Sequence, residues 1–164
     1  MPRGLILEGP ACGRVLEVLA RRPEFPVLLA GGPIIGSDET CATLPPRSSG
    51  EAPDLPRALA LCAPLRRIVQ GLARVRERVP AAGFVLDRFH LSWYAALPNW
   101  RLYEAMDEGL ARLGGRLVVV GRDPRIDEAL ARTRLPTRVL DAADCPDALA
   151  ASAAEFWSAS APPR

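Results

Sequence analysis

The chain has 164 residues, of which 49% are hydrophobic and 24% charged, and a formal net charge of +2. That length suits one domain with a substantial core, and so small a charge implies no large basic field and no specific nucleic-acid signal. One His and four scattered cysteines (Cys12, Cys41, Cys62 and Cys145) exclude chemistry that needs a histidine cluster and give no zinc spacing.

Every cation is an arginine, as GC-rich coding favours, so most arginines need no functional explanation. The apolar run at 5–7 is too short for a signal peptide, and no stretch approaches a membrane span. A cytoplasmic protein with reduced cysteines and no membrane contact is expected.

In chain order, residues 4–8 read as a first strand ending at Gly9. Residues 13–22 carry Val15, Leu16, Val18 and Leu19 at helical spacing, and Pro23 stops that helix. "VLLA" at 27–30 reads as a buried second strand. Residues 34–54, rich in Ser, Gly, Pro and Thr, read as a long loop, mobile at "PPRSSGEAPD". Residues 55–79 are helical by pattern, with Pro64 placed to kink or split the helix.

"GFVLD" at 83–87 is the third strand. "RFHLSWYAALPNW" opens a helix that breaks near Pro98, and a further helix covers 100–113, closed by Gly114 and Gly115. "RLVVVG" at 116–121 is a continuous apolar strand. Asp123 caps a short helix that Pro136 ends, and "TRVLDA" holds the last strand. Asp144 or Cys145 opens a final helix with Leu149, Ala153, Phe156 and Trp157 inward. Residues 1–158 form one domain in this reading, and 159–164 are a frayed tail.

Strands thus alternate with helices, and continuous apolar strands imply a parallel sheet covered on both faces. Ligands of such sheets sit at the carboxyl ends of the strands. There the sequence places "EGPACGR", "AGGPIIG", "DRFH", "GRDP" and "DAADCP".

Three of these segments, in order along the chain, carry a resemblance. "LILEGPACGR", "FVLDRFHLSWYA" and "TRVLDAADCPDALAASAAEFW" resemble the phosphate-binding loop, the third-strand Asp-Arg motif and the last strand and helix of thymidylate kinase-like and deoxynucleoside kinase-like P-loop proteins. The resemblance implies a single-domain, three-layer α/β sandwich with a five-stranded, mainly parallel sheet. It also implies transfer of the γ-phosphoryl of ATP, with Mg²⁺, to a nucleoside or nucleotide. On the matching positions, Gly9, Cys12, Gly13 and Arg14 would hold phosphate. Asp87 would sit near Mg²⁺ through water, and Arg88 would face the acceptor. Arg132 is the best candidate for a lid charge.

With its departures, the resemblance implies a degenerate member. An intact loop is G-x-x-x-x-G-K-[ST], whereas Gly9 to Gly13 is one residue short, Arg14 replaces the Lys and Val15 replaces the Mg²⁺-binding hydroxyl. A guanidinium fork is not a compact ammonium, and a methyl group cannot ligate a hard cation. The stretch "LLAGGPII" at the end of the second strand carries no acid where deoxynucleoside kinases place a base, and Asp38 and Glu39 follow in the loop.

Three readings stay open. The first is a non-catalytic or weakly active relative that binds a nucleotide or phosphate at Gly9, Arg14, Asp87 and Arg88. The second is an active kinase using Arg14 in place of Lys, with ATP and Mg²⁺. The third is a scaffold whose Trp93, Tyr94 and Trp100 serve a protein partner or a homodimer, where the plain alternative is that these aromatics belong to the core. His90, the sole His, is expected to be a surface or packed residue.

Overall fold

A computed structural model describes residues 4–22, 54–80 and 83–159. The strands are β1 (Gly4–Glu8), β2 (Phe84–Asp87), β3 (Gly115–Val120) and β4 (Thr137–Leu140). Among the described residues they form one α/β domain around a four-stranded sheet of order β2-β1-β3-β4, in which every pairing is parallel. The expected strand at 27–30 and the loop at 34–54, apart from Asp54, lie outside the described residues, as does the tail beyond Ala159.

The apolar strands form where continuous hydrophobic runs are buried on both faces: β1, β2 and β3 are buried at every position. Alternate residues divide between two layers. Leu5, Leu7, Val85, Val118 and Val120 pack under α1 (Cys12–Leu19) and the last helix, Pro146–Ser158. Ile6, Leu86, Leu117 and Val119 face the opposite layer. β4 departs from the expectation of two covered faces: Thr137 and Val139 are exposed, because an edge strand of sequence "TRVL" meets helix on one side only.

The long helical pattern is divided as its proline requires. α2 (Leu55–Leu61) begins under an Asp54 side-chain cap, and α3 (Ala63–Arg78) restarts after Cys62 with Pro64 in its first turn. Proline is tolerated there because the first-turn N–H is unpaired in any helix.

After β2 comes α4 (His90–Ala96), then a 3-10 turn at Trp100–Leu102 and α5 (Glu104–Arg112). After β3, Asp123 accepts the Arg125 N–H to cap a 3-10 turn that leads into α6 (Asp127–Arg132). The final helix is α7 (Pro146–Ser158). Trp93, Tyr94 and Trp100 are all buried in the core, so the plain reading of these aromatics holds. No helix among the described residues is long and apolar enough to cross a membrane.

Candidate functional site

Two strand-to-helix junctions lie side by side at the carboxyl edge of the sheet. The β1–α1 junction is the glycine loop. Gly9 has φ +96, and a Cβ there would stand 2.5 Å from the Val120 carbonyl oxygen, so glycine is required by both conformation and space. The Ala11 N–H donates to Val120 O at 3.3 Å, and the Cys12 N–H donates to Gly9 O at 3.4 Å. Two amides that a phosphate cradle would use are therefore turned onto protein carbonyls.

Cys12 is buried, and its thiol donates to Asp87 Oδ1 at 3.2 Å. Burial, and then the neighbouring Asp87 carboxylate, push the thiol pKa far up, so it stays protonated and is no nucleophile. Val15 is fully buried in the layer beneath α7, facing away from any ligand. Gly13 opens onto free space, and Arg14 is exposed on the outer side of α1.

The β2–α4 junction carries the polar chemistry. Asp87 is buried at the end of β2, and its Oδ2 lies 3.6 Å from Arg88 Nε. Arg88 has φ 48, a left-handed conformation that costs a non-glycine residue roughly 1–2 kcal/mol. Its N–H donates to Leu7 O at 2.7 Å, which fixes the turn.

Glu8, at the end of β1, is wholly buried and reaches across to α4. Its carboxylate accepts from Leu91 N–H (3.0 Å), from Ser92 N–H (3.1 Å) and from the Ser92 hydroxyl. The residue before α4, Phe89, supplies no side-chain cap, so the distant Glu8 fills that role. Burial raises the Glu8 pKa, opposed by His90 and by these hydrogen bonds.

Behind this junction lies a second buried network. His90 Nε2 is 3.2 Å from Asp107 Oδ1 on α5, and Asp107 also accepts the Thr133 hydroxyl and the Arg134 N–H (2.8 Å). It ties the segment after α6 to α4 and α5. His90 is thus a packed residue, as expected from a lone histidine. Neither Glu8 nor Asp107 stands out as functional in the sequence, though both leave a signal. Glu8 is an acid closing an otherwise apolar strand, and Asp107 sits on the helix face that also carries Tyr103, Met106 and Leu110.

Between the junctions and the turn after β3 opens a cleft of about 280 Å³, walled by Gly9, Pro10, Arg88, Ser92, Asp123 and Arg125. Of the sequence-selected residues, Gly9 and Arg88 border it, while Cys12 and Asp87 are joined to each other by the thiol hydrogen bond. Arg14 does not line it. Arg132 lies on α6, paired with Glu128 at 2.9 Å. Arg125 is held by both oxygens of Asp123, at 2.8 and 2.6 Å.

The residues present do not fit Mg²⁺ at this edge. The Asp87 oxygens face the Cys12 thiol and Arg88, the Glu8 oxygens face α4, and Val15 offers no oxygen. Among the described residues no group of three His, Cys, Asp or Glu side chains is arranged to hold a metal ion. No family model, curated protein or solved structure matches the chain.

Proposed function

We propose that the protein is a non-catalytic or weakly catalytic relative of the thymidylate kinase-like P-loop proteins, and that its cleft binds a small phosphate-bearing ligand such as a nucleoside monophosphate. The observation that carries the reading is the cleft itself. It opens at the carboxyl edge of a parallel sheet, where such folds bind ligands, and it is bordered by Arg88, Arg125 and Ser92. Arg88 is kept in a strained backbone conformation at that rim, a cost that points to a role. Loss of phosphoryl transfer follows from the glycine loop. Transfer depends on positioning and on charge stabilisation around the γ-phosphate, and the loop spends its Ala11 and Cys12 amides internally and lacks the Lys and the hydroxyl.

Isothermal titration tests this with thymidine monophosphate, thymidine and ATP, each with and without Mg²⁺. The expected result is binding of the monophosphate, little binding of thymidine, and no effect of Mg²⁺. Micromolar, Mg²⁺-dependent ATP binding with turnover would establish the kinase reading using Arg14. Absence of binding by all three compounds would overturn the ligand site and leave the scaffold reading.

A further inference from the structure

The α2–α3 unit carries a charge asymmetry that the small net charge conceals. Residues 54–80 hold six arginines (57, 66, 67, 74, 76 and 78) against two acids, Asp54 and Glu77. Arg67, Arg74 and Arg78 are spaced by seven and four residues, which puts them within about 40° of one another on a single line some ~16 Å long. Gly71 falls on the same line, and a Cβ there would meet nothing within 4 Å. All three arginines are exposed, as is Arg57 on α2, and among the described residues none of the four pairs with a carboxylate. The remaining two differ: Arg66 is half-buried, and Arg76 donates to the Leu113 carbonyl. Asp54 caps α2 through the Arg57 N–H, and Glu77, three residues after Arg74 on one flank of the line, forms no ion pair with it among the described residues.

Exposed apolar residues accompany this charge. Leu55 (57% exposed), Val75 (50%) and Val79 (52%) are three of the four large hydrophobic side chains exposed among the described residues. Val75 lies on the flank of the arginine line, and Val79 follows it at the end of α3.

We propose that the outer face of α2–α3 docks on the surface of a bilayer containing anionic lipid. Clustered arginines on an amphipathic helix are attracted by an acidic leaflet, each contributing about 1 kcal/mol, or about fivefold in affinity. The flanking Val75 and Val79 enter the headgroup boundary beside them. The helix lies on the membrane and does not cross it. A nucleic-acid backbone fits the charge but leaves the apolar residues without a role, and among the described residues none of the exposed large hydrophobics is an aromatic ring that could stack on a base.

The test is co-sedimentation of the full chain with vesicles of phosphatidylcholine alone and of phosphatidylcholine containing phosphatidylserine. Binding is expected only to the second, and it should fall steeply with added salt. Replacing Arg67→Gln, Arg74→Gln and Arg78→Gln together should weaken partition about a hundredfold with an unchanged melting temperature. The control triple Arg101→Gln, Arg112→Gln and Arg122→Gln, on other elements, should leave it unaltered. Val75→Ser with Val79→Ser should weaken it several-fold without changing its salt dependence. Equal binding to both vesicles, no binding to either, or equal losses in the two arginine triples would each overturn the proposal. Binding to duplex RNA without vesicle binding would assign the stripe to a different partner and overturn it as well.

Discussion

The β1–α1 and β2–α4 junctions leave the same edge of one sheet, yet they are built from different chemistry. The glycine loop has the shape of a ligand site and little of its polarity. Its amides bond to protein carbonyls, its thiol is sealed beneath it, and α1 has neither a side-chain cap nor an acid in its first turn. The neighbouring junction has no glycine signature, but it joins Glu8 to Ser92 by hydrogen bonds and Asp87 to Arg88 by an ion-pair contact. Backbone shape and polar chemistry have separated: a loop that looks like a phosphate cradle stands beside the junction whose Arg88 and Ser92 border the cleft.

The comparison breaks most severely if the Glu8 carboxylate is removed. Glu8→Ala leaves the buried Leu91 amide and the part-buried amide and hydroxyl of Ser92 without their acceptor, and at roughly 1–3 kcal/mol per unsatisfied buried group it should destabilise the fold by about 3 kcal/mol. Urea unfolding reads this directly. Cys12→Ala at the other junction removes one thiol bond and should cost much less.

The two glycines of the loop sharpen the contrast. Gly9→Ala forces a side chain into a positive φ and against the Val120 carbonyl, and should cost about 2 kcal/mol. Gly13→Ala meets open space within α1 and should be neutral or stabilise by up to about 1 kcal/mol. A thermal-melt comparison of the two variants is sufficient.

The elements were far more legible in the sequence than the polar contacts. The continuous apolar runs of β1 and β3 and the split of the long helix at Pro64 follow from local pattern alone, and the structure reproduces them within a few residues. Glu8 and Asp107 were opaque because their partners lie 83 and 17 residues away, at Leu91 and His90. Propensity and spacing carry no information about a cap supplied from another strand. Val15 shows the same limit from the other side. The motif marks it as a lost ligand, whereas the fold has turned that position into the apolar layer beneath α7. The strained φ of Arg88 also has no sequence signal, since arginine rarely adopts it.

A smaller effect concerns pH. Burial raises the Glu8 pKa above its ordinary 4.5, so the folded state keeps a proton that the unfolded chain releases. The stability tied to this group is full below about that value and is lost as pH rises through the raised pKa. Asp107 behaves in the opposite sense. Burial raises it, but the hydrogen bonds from His90, the Arg134 N–H and Thr133 outweigh burial and hold it below its ordinary 3.8. Its contribution is present above that value and is lost as pH falls through the lowered pKa. Stability should therefore decline with rising pH above 4.5 in the wild type, and Glu8→Gln should flatten that decline while leaving the acid limb unchanged. Urea midpoints measured across pH test both limbs.

The central claim is that any phosphate-bearing ligand is held at the β2–α4 junction and not by the glycine loop. Titration of thymidine monophosphate into Arg88→Gly and Arg14→Ala tests it most directly, because glycine accepts the backbone conformation at position 88 and only the guanidinium is lost. A charge-assisted contact contributes roughly 1.5–3 kcal/mol. Arg88→Gly should therefore weaken binding at least tenfold with the fold intact, and Arg14→Ala should leave it unchanged. Loss of binding in Arg14→Ala, with wild-type affinity in Arg88→Gly, would contradict the account and return the ligand to the glycine loop.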